Sequence, residues 1–350
     1  VVRTVTFAVP GELTIPTGGY RYDQRMIAEL RRLGWEVDVV NLGEGFPWPT
    51  RNQRAIADEG LSVTPPGRPI VIDGLAYGAL PVEAERLARR NPLIALVHHP
   101  LALETGLSVA QASSLRASER RALAAAARIV ATSPATARIL VADYHAPTER
   151  IVVARPGNDR APAAPGSRDG LVRLLSVGAV SKRKGFDVLI AALAALSDLP
   201  WRLTIVGDRS RDPEAATQLD ADIRRHGLDD RVAALGAVSR TRLLELFASA
   251  DAFVLASRFE GYGMAYSEAI AHGLPIVGTT AGAIPETVPD GAAILVTPDD
   301  VEALASTLRR VIAEAATRSR MAAVAREAAP TLPRWEESAT IFSGAIEAAR

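Results

Sequence analysis

The sequence predicts an α/β protein of two domains, each a parallel sheet with helices packed on its faces. Three observations lead there. Short β-branched runs alternate with longer segments of helical period almost throughout, the pattern of βαβ units whose strands are buried on both faces. The alternation halts once, at PGNDRAPAAPGSRDG (residues 156–170), where proline, glycine and polar residues crowd out apolar ones, and then restarts. A chain of 350 residues is also long for one ordinary core and suits two.

In the first half, apolar runs place strands at residues 5–9, 36–40, 70–73, 94–97, 129–132 and 151–154. Helical spacing fills the gaps, with helices expected at 20–33, 82–89, 118–127 and 134–143. Domain one is therefore read as 1–157 and the linker as 158–170. Domain two, 171–334, opens with LVRLLSVGAV, whose strand ends at Val177 and Gly178. Further strands follow at 203–206, 232–235, 252–256, 276–279 and 293–296. After the break PTLPRW, residues 335–350 form a last helix expected to pack back on domain one. Two such Rossmann-like halves should face one another, with a ligand in the cleft beyond the carboxyl ends of their strands.

Forty acidic residues balance forty basic ones, so there is no overall basic field of the kind nucleic-acid binding uses. Any anion site must be local, and no nucleic-acid partner is expected. The absence of cysteine rules out a disulfide framework and a thiolate metal site, and it fits a reducing compartment, so cytoplasm is expected. The longest apolar runs, such as 189–196, fall far short of the roughly 20 residues of a membrane span. The start VVRTVTFAVP lacks a charged segment followed by a long apolar one. A soluble protein is expected, with room left for a peripheral membrane contact.

Of the forty basic residues only Lys182 and Lys184 are lysine, and both lie in SKRKGF. A strand ends just before this cluster and a helix is expected to begin near Gly185 or Phe186. Three cations at the positive end of a helix dipole cost roughly 0.3 to 1 kcal/mol each unless something negative lies between them. A phosphate would serve, since helix N-termini and lysine point charges both bind anions. A solvated turn with screened charges is the competing reading of this spacing.

The second informative stretch runs from Ser257 to Gly273. The strand at 252–256 delivers the chain to a loop containing Gly261 and Gly263, which opens a helix ending at His272 with Gly273 as a left-handed cap. Glycines there let backbone amides approach a ligand. Glu260 precedes the helix and Glu268 lies inside it, so the two can address opposite ends of an extended ligand whose phosphates rest on the intervening amides.

The run EGYGMAYSEAIAHGLPIVGTTAGAIPETV resembles the signature of the family-4 retaining glycosyltransferases of the GT-B fold, in which two glutamates are separated by seven residues. VGAVSKRKGFDVLIAAL and the early TGGYRYDQRMIAELRRLGWEV extend the resemblance over nearly the whole chain. It implies a transferase that moves a sugar from a nucleoside-diphosphate sugar to a hydroxyl on a glycan, a lipid-linked or a small-molecule acceptor, with retention of configuration. It implies that Lys184 binds the donor diphosphate, that Glu268 accepts hydrogen bonds from the ribose, and that Glu260 lies near the transferred sugar. Amides of Gly261, Tyr262, Gly263, Met264 and Ala265 would contact sugar and phosphate, and Gly18 and Gly19 match a glycine pair approaching from the opposite domain. For the functional histidine of the first domain, LIALVHHPLALETG offers His98 and His99, with His98 favoured.

One departure stands out. The arginine expected directly after the glycine that ends the strand is replaced by Ala179. Either Lys182 or Arg183 then supplies the missing charge from the other side of the loop, or the diphosphate is held differently. No cofactor is implied beyond the donor itself, and no metal, because no group of aspartates flanks the glycine loop and Lys184 can act as the charge partner. The rival readings are a nucleotide-sugar epimerase or hydrolase of the same fold, and a catalytically degenerate binding module encouraged by Ala179. A nicotinamide-dependent dehydrogenase is opposed by the lack of G-x-G-x-x-G followed by an acidic residue at the start of either half.

Overall fold

The computed structural model describes residues 3–15, 17–167 and 169–350. Val1, Val2 and Pro16 of the first predicted domain, and Arg168 of the stretch read as a linker, lie outside the described residues. The chain divides into two compact units, residues 1–157 with 333–350, and residues 158–332.

The first unit holds strands β1 (Arg3–Val9), β2 (Trp35–Asn41), β3 (Ile70–Asp73), β4 (Leu93–Val97), β5 (Arg128–Ala131) and β6 (Ile151–Val153). They form one sheet in the order β2-β1-β3-β4-β5-β6, every pairing parallel. Parallel order needs a crossover after each strand, so the middle strands are covered on both faces; every residue of β3 and β4 is buried, and both read as apolar runs up to Asp73 at the end of β3. The strand order reverses between β1 and β3. Chain segments leaving their carboxyl ends therefore diverge and open a crevice there.

The second unit holds β7 (Val172–Val177), β8 (Trp201–Val206), β9 (Val232–Ala234), β10 (Ala252–Val254), β11 (Ile276–Thr279) and β12 (Ala293–Val296). Their order is β12-β11-β10-β7-β8-β9, again all parallel. Counted from its own first strand this is the doubly wound Rossmann order read backwards, with its reversal between β7 and β10.

Helix starts follow local chemistry. The helix Gly18–Arg32 is capped by Thr17, whose hydroxyl accepts from the Tyr20 amide, and it carries Arg31 and Arg32 in its last turn, where cations suit the dipole. Two helices have capping boxes that pattern reading passed over. Thr50 with Gln53 starts an unforeseen helix at Arg51–Ser62, and Ser108 with Gln111 starts Val109–Ala124, nine residues before the expected 118. Among the described residues no helix is long and apolar enough to cross a membrane.

The stretch 158–170 is not a free linker. It belongs to the second unit and is tied to it: the Ala164 amide donates to the His272 carbonyl at 2.8 Å, and the Ser167 amide to Asp251 Oδ1 at 2.6 Å. Its polar composition reflects a surface strap, since Asp251 answers backbone groups that a sheet would otherwise satisfy. The helix Trp335–Glu347 belongs to the first unit. Its Trp335 is 2% exposed, Phe342 lies with its ring centroid 6.3 Å from Phe7, and Ser343 accepts from Trp35 Nε1 at 2.9 Å.

Candidate functional site

In the second unit, the loops leaving β7 and β10 meet at the reversal of the sheet. After β7 the chain makes a single 3-10 turn, Lys182–Lys184, and Gly185 at φ +64° turns it into the helix Phe186–Ala194. No other residue fits that position. A Cβ on Gly185 would stand 2.0 Å from the carbonyl oxygen of Ala256, at the end of the neighbouring strand segment. This close approach aims Lys184 at Glu260: Nζ donates to Oε1 at 2.6 Å, while the lysine stem lies over Gly178. Ser257 donates its hydroxyl to the same oxygen at 2.6 Å, and Arg183 Nη1 lies 3.4 Å from Oε2 and 2.9 Å from the Phe259 carbonyl.

Glu260 is buried, which by itself would push its carboxyl up. The charges of Lys184 and Arg183 and the hydrogen bonds outweigh burial and hold it below the usual carboxylate range, so it is an anion at neutral pH. The three cations of SKRKGF thus find protein carboxylates: Lys184 and Arg183 meet Glu260, and Lys182 pairs with Glu214 at 2.8 Å on the surface. These carboxylates offset the three cations at the helix start without a phosphate. Arg183, and not Lys182, is the second cation of the cluster. Arg258 clamps the turn from outside, donating to both oxygens of Asp187 at 2.7 and 3.1 Å.

Past Glu260 the backbone is held in place. The Ala283 amide donates to the Glu260 carbonyl at 2.9 Å, and Thr287 Oγ1 to the Tyr262 carbonyl at 2.5 Å. Gly261, Tyr262 and Gly263 then lead to the helix Met264–Ala271, with Gly263 as its left-handed cap residue at φ +91°. Met264 and Ala265 form the first turn, whose amides point away from the helix as donors. Glu268, a turn further in, accepts from Arg240 Nη1 at 2.7 Å. Gly273, at φ +69°, closes the helix as its spacing predicts.

The first unit builds its cluster at the other reversal, from Gly18–Arg32, β3 and the segment after β4. His98 Nε2 sits 3.1 Å from Asp23 Oδ1 and 3.1 Å from Asp73 Oδ2. Tyr22 presents its ring edge-on to His98 with centroids 5.4 Å apart and donates its hydroxyl to the Ala154 carbonyl at 2.9 Å. Gly19 faces the imidazole: a Cβ there would lie 3.4 Å from Cδ2 of His98, in ordinary contact with the ring. Gly18 is the first residue of that helix. His99 turns elsewhere and pairs with Glu104 at 3.4 Å. Among the described residues, Asp23, Asp73 and His98 are the one trio of carboxylate and imidazole groups whose polar atoms converge. Their spacings are hydrogen-bond lengths, as in a proton-sharing cluster.

Pattern reading missed Asp23, Asp73, Ser257 and Arg240. Ser257 had a local signal, three residues ahead of Glu260 in a glycine-rich frame. Arg240 had none, because it lies 28 residues from Glu268. Asp73 at the end of a buried strand and Asp23 inside a helix come together only through the crossovers.

The chain is similar to known proteins over most of its length. A family model described as "Glycosyl transferases group 1" matches residues 158–328, and one described as "Glycosyltransferase Family 4" matches residues 69–161. A D-inositol 3-phosphate glycosyltransferase of Xylanimonas cellulosilytica is 32% identical over 63% of this chain and 57% of its own. The chain spans 50 to 57% of the length of the first curated relatives it matches. In structure it is similar to sucrose-phosphate synthase from Thermosynechococcus elongatus, with TM-score 0.81 and 19% identity over 97% of this chain and 98% of that one. It is similar as well to Anabaena HepE, solved in complex with UDP and glucose, with TM-score 0.76 and 20% identity over 97% and 99%.

Proposed function

From a chain that belongs to the family-4 glycosyltransferases of the GT-B fold, we propose an enzyme that moves a sugar from a nucleoside-diphosphate sugar to a hydroxyl acceptor, with retention and without a divalent metal. The observation that carries this reading is the buried Lys184–Glu260 pair at the β7–β10 reversal, beside the glycine loop that opens Met264–Ala271. A donor diphosphate placed there would meet the Lys184 ammonium and the amides of residues 261–265. Both are fixed before the reaction begins, so they stabilise the developing charge without reorganising.

In the proposed step the bond from the anomeric carbon to the diphosphate oxygen breaks. A bond to the acceptor oxygen forms on the same face, and the acceptor proton passes to the departing diphosphate. No protein nucleophile is used. Glu260 acts by position and charge, holding Lys184 straight, and Glu268 offers a carboxylate to ribose hydroxyls while Arg240 fixes its rotamer. Gly18, Gly19 and His98 are assigned to the acceptor or the transferred sugar. Lys182, engaged with Glu214, is given no part in the chemistry. With no cysteine in the chain, a reducing compartment such as the cytoplasm is proposed as its setting.

A thermal-shift panel of nucleoside diphosphates, with uridine diphosphate first because HepE was solved with it, tests the donor site. A nucleotide at 100 times its dissociation constant is expected to stabilise by about 2.7 kcal/mol. A flat response to all of them would remove the donor-site reading.

A further inference from the structure

We propose that Asp23 and Asp73 are positioning residues that hold His98 as an imidazolium, with Asp73 as the ionised partner and Asp23 as the carboxyl that takes up a proton first as the pH falls. The inference deepens the proposed function, because it sets the charge of a residue assigned to the substrate.

The geometry carries it. Two carboxylate oxygens approach the same ring nitrogen, Nε2, at 3.1 Å each. Where neither oxygen carries a proton, a lone pair on that nitrogen would face both and be repelled, so Nε2 bears the hydrogen. Asp23 is 0% and Asp73 2% exposed, so an ionised carboxylate there is cut off from water and calls for a cation beside it. Once Asp23 is protonated, one cation, one anion and one neutral acid make the cluster neutral. The two aspartates are not equivalent. Asp73 Oδ1 accepts from the Leu75 amide at 2.7 Å, which favours its ionised form, whereas Asp23 Oδ2 is buried with no hydrogen-bond partner, which favours a proton.

The directions of titration agree. Burial, then the Asp73 charge, push Asp23 up to about 7. Burial also pushes against ionisation of Asp73, but the His98 hydrogen bond and charge, a hydrogen bond from Asp23 and the Leu75 amide keep it below its ordinary value. Burial opposes the charged form of His98, yet the Asp23 charge, hydrogen bonds to both carboxylates and the Asp73 charge raise it to about 10. The ionisable neighbours of His98 are Asp23 and Tyr22 from Gly18–Arg32, Asp73 from β3, and the His99–Glu104 pair on its own segment, while Thr132 beyond β5 donates only to its carbonyl oxygen. The positive end of Gly18–Arg32 lies against the ring at Gly19, so an imidazolium there needs these two acids beside it.

The test is a pH titration of ring-nitrogen resonances of 15N-histidine-labelled full-length protein, treated with chelator and free of ligand. The chain has five histidines, and His98→Gln assigns the signal. His98 is expected to keep both ring protons from pH 6 to 9, and Asp73→Asn to lower its proton affinity at least tenfold, a midpoint shift of about one unit. A wild-type midpoint at or below 6.5 would overturn the proposal, and so would a midpoint unmoved by Asp73→Asn; should that variant fail to fold, the wild-type titration decides alone. In turnover, the pH profile of kcat/KM is expected to be free of a histidine limb between pH 6 and 9 and to gain a falling one in Asp73→Asn. The titration read as expected in a protein that turns nothing over would leave this proposal standing and remove the transferase reading, so the two failures are distinguishable.

Discussion

Lys184→Ala is expected to lower kcat by about 10²- to 10³-fold, the usual cost of losing one fixed donor to a developing anion, and to destabilise the second unit as well. Lys184 and Glu260 are both nearly buried, at 12% and 7% side-chain exposure, so removing the lysine strands a carboxylate away from water. Breaking a buried pair from one side costs about 3–5 kcal/mol. Arg183 remains 3.4 Å away and Ser257 still donates, which places the expected loss near the lower end. Lys184→Met combined with Glu260→Gln removes both charges and should recover much of that stability while leaving turnover absent. Denaturation midpoints and single-turnover rates on the two variants check this. Stability regained without activity separates the electrostatic role from the structural one.

The pH dependence has a definite sign. Glu260 is held below its ordinary value when folded, so its contribution to stability is present above the unfolded carboxylate range and is lost as the pH falls through its folded value. Wild type should lose stability on the acid side more steeply than the double variant.

Gly185→Ala is the second large effect. The backbone there sits at φ +64°, which costs an L-residue about 1–2 kcal/mol. The added Cβ would also stand 2.0 Å from the Ala256 carbonyl oxygen, and relieving such overpacking costs about 1–3 kcal/mol more. Together roughly 3 kcal/mol is expected, or about 10 °C in melting temperature, with donor binding impaired because the adjoining residue is Lys184. Gly227→Ala supplies the control, since Gly227 shares the left-handed backbone, at φ +63°, but a Cβ there meets nothing within 4 Å. It should cost only the backbone part, about 1–2 kcal/mol. Equal losses in the two variants would contradict the close approach of the two loops.

Much of this was legible because parallel strands buried on both faces leave largely apolar runs, and those at 70–73, 276–279 and 293–296 coincide with β3, β11 and β12. The position of Lys184 before a glycine that starts a helix was readable for the same local reason. Helix starts marked by capping boxes were readable in principle, at Thr50 and Ser108, but both helices are polar, and the second is weakly patterned as well. The strap at 158–170 misled because composition reports solvent exposure and turns, while Asp251, which ties it down, lies some eighty residues on. Asp23 and Asp73 could not be found from spacing. A buried acid carries no sequence mark, and only the order of β1, β3 and β4 brings both to His98.

Release of nucleoside diphosphate from a panel of nucleotide sugars, measured with and without hydroxyl acceptors and with Glu260→Ala as control, tests the central claim most directly. For at least one donor, release is expected to depend on an acceptor, to yield a product with the donor's anomeric configuration, and to vanish in Glu260→Ala. Release that ignores the acceptor, or that Glu260→Ala leaves unchanged, would contradict it.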